Sequence, residues 1–125
     1  MPSFRDAVET GDLAEIEAAL DPAVVFRSPV VFKPYEGREA VMALLSLVVQ
    51  VFEDFRYVDE LEGNGTNCLL FKARVGEREV DGIDYLRLGD DGLVTELTVM
   101  VRPYSGLTAL RDAMGTKLEA LASGG

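Results

Sequence analysis

Among the residues able to do acid–base chemistry, Asp84 is the one whose neighbours single it out. It lies in Arg78-Glu79-Val80-Asp81-Gly82-Ile83-Asp84-Tyr85-Leu86-Arg87-Leu88, a stretch that reads as a strand. Side chains alternate between the two faces of a strand, so one face carries Val80, Gly82, Asp84, Leu86 and Leu88. If that apolar face is the core face, Asp84 points indoors. A lone carboxylate in an apolar core is costly unless it is paired, hydrogen-bonded or protonated, and burial is expected to raise its pKa. Two roles follow. Asp84 is either a polar anchor at the bottom of an apolar pocket, bonding a ligand carbonyl or hydroxyl, or a buried acid satisfied by the backbone or by Tyr57, Tyr85 or Arg102. Asp81 has the opposite parity and should face away. Asp59 shares the parity of Phe55 and Tyr57 and is the better second polar group for the same cavity. Ser28 precedes a proline; it reads as a turn residue that also borders the cavity.

Composition narrows the chemistry. There is no histidine, which removes the commonest general base and the commonest metal ligand. The acids are scattered, and the glycines sit in hairpin turns, so no metal site, phosphate loop or cofactor is expected. The single cysteine, Cys68, rules out an internal disulfide and reads as a small strand residue in a reducing, cytoplasmic compartment. With 22 acidic and 12 basic residues the net charge is −10, which argues against nucleic-acid and anionic membrane surfaces. The start, Met1-Pro2-Ser3-Phe4-Arg5-Asp6, lacks the pattern of a signal peptide. The longest apolar run, Val41 to Val51, is too short to span a bilayer. A length of 125 residues fits one domain, residues 1–125.

The elements that must position Asp84 follow from periodicity and punctuation. A short helix is expected over Phe4 to Thr10, ended by Gly11 in the left-handed conformation. Asp12 should cap a second helix, Leu13 to Leu20, with Glu15 completing a capping box. Asp21-Pro22 breaks it. Val24-Val25-Phe26 reads as a strand, Val30 to Gly37 as an unusually apolar loop, and Arg38 to Phe52 as an amphipathic helix. Four strands follow: Phe55 to Leu61, Asn67 to Val75, Arg78 to Leu88 and Leu93 to Arg102. Leu107, Leu110, Met114, Leu118 and Leu121 mark a C-terminal helix, and the tail Ser123-Gly124-Gly125 is expected to be mobile. The order implies an α+β domain: a curved antiparallel sheet with helices on one face, closing a conical cavity.

Three segments carry a family likeness: Gly11-Asp12-Leu13; Phe26-Arg27-Ser28-Pro29 with Tyr35-Glu36-Gly37-Arg38-Glu39-Ala40-Val41; and Ile83-Asp84-Tyr85-Leu86-Arg87-Leu88 followed by Asp91-Gly92. Together they resemble the cystatin-like, nuclear transport factor 2-like superfamily, in its SnoaL-like polyketide-cyclase and ketosteroid-isomerase-like branch. The resemblance implies a cone-shaped pocket lined by Phe4, Phe26, Phe32, Leu69, Phe71, Leu97, Val99 and Val101, with Ser28, Tyr57 and Asp59 as polar members. It also implies a homodimer through the outer sheet face, where Lys72, Arg74, Glu96, Thr98, Met100 and Arg102 lie. The isomerase branch has a basic acid just before the proline that ends the first strand; Ser28 stands there. It has a tyrosine on the first helix; Phe4 stands there. Its protonated acid on the penultimate strand is matched by Asp84. Two functions remain open: a domain that binds a small hydrophobic molecule without catalysis, and a cyclase, isomerase or hydrolase that uses Asp84 as general acid or base with Tyr57 or Tyr85 assisting. The missing base favours the first.

Overall fold

The computed structural model describes residues 3–124, with side chains through residue 120. Helix α1 (Phe4–Thr10) opens with a capping box in which Ser3 and Asp6 exchange hydrogen bonds. It ends at Gly11, whose φ of 74° is the left-handed conformation that glycine adopts without strain. Helix α2 (Leu13–Ala18) is capped by Asp12, which accepts from the amides of Ala14 and Glu15. Glu15 does not complete a capping box; its carboxylate accepts the Thr10 hydroxyl instead. Strand β1 (Leu20–Arg27) begins earlier than the sequence suggests, and Pro22 lies inside it, where the register is irregular. A two-residue strand β2 (Tyr35–Glu36) emerges from the apolar loop. Helix α3 (Arg38–Val51) buries Val41, Leu44 and Leu45, as the apolar spacing of Val41, Leu44, Leu45, Val48, Val49 and Phe52 predicts, but it also buries Leu47 and Val51 and leaves Val49 exposed.

Strands β3 (Glu53–Glu62), β4 (Thr66–Val75), β5 (Arg78–Leu88) and β6 (Val94–Arg102) follow, and helix α4 (Tyr104–Gly124) closes the fold. Helix α4 continues through Gly124, where a tail was expected; the Leu121 side chain and Gly125 lie outside the described residues. The six strands form one sheet in the order β2-β1-β6-β5-β4-β3. It is mixed rather than wholly antiparallel, because β1 runs parallel to β6, with Phe26 beside Leu97. The connection from β1 passes through α3 and the β3–β5 meander before reaching β6. That long path allows a parallel pair, which a hairpin cannot make.

The inner sheet face carries Phe26, Leu69, Phe71, Val80, Leu86 and Leu97, all buried against the helices. The outer face carries the charges. Asp81 accepts from Lys72 at 2.9 Å and from Arg102 at 2.7 Å, and these two cations, Lys72 first, hold its carboxyl below the usual carboxylate range. Among the described residues no helix is long and apolar enough to cross a membrane, and no group of three or more His, Cys, Asp or Glu is placed to hold a metal.

Candidate functional site

The alternation along β5 holds. Val80, Gly82, Asp84 and Leu86 are buried while Asp81 and Tyr85 face outward. Asp84 is 7% exposed and is the buried charged residue among those described. Its register neighbours are Leu69 on β4 and Val99 on β6, so both flanks are hydrocarbon. Tyr57 reaches over β4 from β3 and donates its hydroxyl to Asp84 Oδ2 at 2.6 Å. Burial pushes the Asp84 carboxyl up to about 6 against the opposing pull of the Tyr57 hydrogen bond. The Tyr57 phenol is pushed up as well, by burial first and then by the Asp84 charge. Among the described residues, Asp84 Oδ1 accepts no hydrogen bond, yet no sealed side-chain oxygen or nitrogen lacks a partner. Oδ1 therefore opens onto the cavity that Asp84 lines.

That cavity has a volume of about 590 Å³ and lies between the sheet and all four helices. Phe4, Phe26, Phe71, Leu97 and Val99 line it as expected, together with Ser28, Tyr57 and Asp84. Its aromatic wall is tight: the Phe71 ring stacks on Phe55 at 4.7 Å and meets Phe52 edge-on at 5.6 Å. The Ser28 hydroxyl accepts from the amides of Val30 and Val31, so it caps the bend after β1.

Several expected residues stand elsewhere. Phe32 is 98% exposed because its loop turns at Ser28 and leaves Val30 and Val31, not Phe32, on the cavity. Asp59 is exposed on the opposite face. Tyr57 pairs with Phe71 and Asp59 with Leu70, so two steps on β3 match one on β4. This bulge inserts Val58 and reverses the parity of everything after it. Leu69 and Val101 face inward but pack in the core beside the cavity rather than lining it. Tyr85 points outward and Arg102 is engaged with Asp81, which leaves Tyr57 as the partner of Asp84.

The bulge also brings in a residue that strand alternation hides. Glu60 now faces inward opposite Leu69. Arg5 on α1 donates to Glu60 at 2.8 Å and to Glu9 at 3.3 Å, and its guanidinium lies 5.7 Å from the centre of the Tyr57 ring. Glu9 borders the cavity. A carboxylate four residues after Arg5 on a helix was a readable signal for that pair; the contact to Glu60 was not.

Removing the Tyr57 hydroxyl isolates the role of its bond. Tyr57→Phe is expected to lower stability by about 1–3 kcal/mol, the usual cost of stranding a buried polar partner. It should also raise the Asp84 pKa further, because the bond that favours its ionised form is gone. Urea unfolding at pH 5 and pH 8 measures both. A loss that is no larger at pH 8 than at pH 5 would contradict this.

The family model for the SnoaL-like domain matches residues 3–97. The chain belongs to the SnoaL-like family. Among solved structures, this SnoaL-like domain is similar to a steroid delta-isomerase from Pseudomonas aeruginosa. The two are 44% identical over 94% of this chain and 87% of that one, with a TM-score of 0.89. It is also similar to an uncharacterised protein with a cystatin-like fold from Silicibacter pomeroyi: 36% identity, 96% and 85% coverage, TM-score 0.89. A putative ketosteroid isomerase from Kribbella flavida shares the fold at 17% identity, 81% and 73% coverage and a TM-score of 0.69. No curated protein sequence matches this chain.

Proposed function

We propose that this SnoaL-like domain binds a small hydrophobic molecule bearing a carbonyl or hydroxyl, its apolar body in the cavity and its oxygen against Tyr57 and Asp84. The observation that carries the reading is the buried Tyr57–Asp84 pair in a mainly apolar cavity, which Glu9, Ser28, Arg56 and Arg111 also border, with Asp84 Oδ1 left open toward the space. A protonated Asp84 donates to a carbonyl; an ionised one accepts from a hydroxyl. The cavity volume falls within the roughly 300–1,000 Å³ of small-molecule sites. Ser28 and Phe4 stand where the isomerase branch has its base and its tyrosine. A serine whose hydroxyl caps a turn is a poor proton acceptor, which supports binding over isomerisation.

A second reading, an enzyme with Asp84 as general acid or base, is favoured by the 2.6 Å Tyr57–Asp84 bond and by a carboxyl near 6. Such a group exchanges its proton close to neutral pH. The likeness to a steroid delta-isomerase supports it too. Homodimerisation through the outer sheet face belongs to the same proposal, with Met100 half exposed among the paired charges there.

Native mass spectrometry of freshly purified protein reports a co-purified ligand and the subunit count together. Nile red, a neutral dye with a carbonyl, then tests the pair. Asp84→Ala is expected to weaken dye binding roughly 3- to 10-fold, the worth of one hydrogen bond. Unchanged affinity would sink the binding reading. Conversion of a β,γ-unsaturated ketosteroid by the wild type, abolished in Asp84→Ala, would establish the second reading instead.

A further inference from the structure

Arg5 ties the N-terminal helix to the polar pair. It donates to Glu60 Oε1 at 2.8 Å and to Glu9 Oε1 at 3.3 Å. Asn67 donates to the other oxygen of Glu60 at 3.0 Å, so the acceptor that holds Arg5 is itself held. The Arg5 and Glu60 side chains are 30% and 26% exposed, so water screens their pairing only in part. The guanidinium carbon lies 5.7 Å from the centre of the Tyr57 ring, within the range where a cation is attracted to the ring face. The hydroxyl of that ring is bonded to Asp84.

We infer that Arg5 is a positioning residue for the Tyr57–Asp84 pair: it holds the Tyr57 ring where its hydroxyl meets Asp84, and it sets one positive charge beside the pair. The inference rests on the reading of that pair as the polar end of the cavity. The charged groups around the pair are few. Helix α1 supplies Arg5 and Glu9; β3 supplies Glu60 and Arg56, the latter bordering the cavity and bound to Asp54; and α4 supplies Arg111, which borders the cavity and is bound to Asp112. Strands β4 and β6 present Leu69 and Val99 beside Asp84. Arg5 is thus the cation that offsets Glu9 and Glu60 next to Tyr57.

A ¹³C NMR titration of the aspartate carboxyl carbons reads the pair directly, with Asp84→Asn assigning the signal. Arg5→Met is expected to raise the Asp84 midpoint by roughly half a unit to one unit, because a cation is lost and two glutamates are left uncompensated. Arg5→Lys keeps the charge and should recover part of that shift. Glu60→Gln is expected to lower the midpoint, because glutamine still accepts from Arg5 while one negative charge is removed. A merely structural Arg5 would lower the melting temperature and leave the titration in place. Midpoints within about 0.2 units of wild type in both Arg5→Met and Glu60→Gln, or shifts of the same sign in both, would overturn the inference. Nile red binding on the same samples separates the two readings. If Asp84→Ala leaves dye affinity unchanged while the two midpoints move in opposite directions, the binding reading fails and the positioning role stands.

Discussion

Asp84→Asn is expected to gain about 2–2.5 kcal/mol on the wild type between pH 4 and pH 8, most of the roughly 3 kcal/mol that a shift from 3.8 to about 6 is worth at 1.36 kcal/mol per unit. The sign follows from the direction. The folded protein holds the Asp84 proton more tightly than the unfolded chain does. Its contribution is complete below the unfolded value near 3.8 and is lost as pH rises through about 6. The amide cannot ionise, yet its oxygen still accepts from Tyr57, so the variant keeps the bond and loses the slope. Urea unfolding of both proteins across that range isolates the effect, because every other titrating group is shared. Parallel stability curves would mean that Asp84 is not held in a desolvated site.

Phe71→Ala is expected to cost about 3–5 kcal/mol, the range for emptying a buried phenylalanine site. Phe71 is wholly enclosed and joins Phe52, Phe55 and Tyr57 in the cavity wall. The tip of its ring lies against Gly82, where a β-carbon would overlap Cζ and both Cε atoms. Gly82 is therefore a space requirement rather than a backbone one. Gly82→Ala alone should cost about 1–3 kcal/mol through overpacking. In the Phe71→Ala background the same change should be neutral or stabilising, since alanine is favoured over glycine inside a strand. Urea midpoints for the four proteins give the coupling. An equal cost of Gly82→Ala in both backgrounds would show that the ring is not what excludes the methyl group.

The two variants probe features of different origin. The burial of Asp84 was legible in the sequence, because β5 pairs without interruption against β4 from Thr66 to Val75 and parity is preserved along it. The stop at Gly11 and the first turns of the α3 face, Val41, Leu44 and Leu45, were legible for a similar reason: both depend on neighbours a few residues away. Asp59 was misplaced because a bulge is a property of two strands in register, and one strand read alone does not announce it. Phe32 was misplaced because nothing local says which side chain of an apolar loop turns to the cavity.

What the sequence by itself determined is the set of elements apart from β2, the inward carboxylate on β5 and the absence of histidine to work beside it. Each follows from side-chain alternation, helical spacing or residue identity, which are local. Only the tertiary structure decided that Tyr57 rather than Tyr85 meets Asp84, that β1 lies parallel to β6, and that Arg5, Glu60 and Asn67 gather beside Tyr57. All but the Glu60–Asn67 bond join segments separated by tens of residues. They depend on how the sheet pairs and where it bulges, and those in turn depend on the packing of the whole chain.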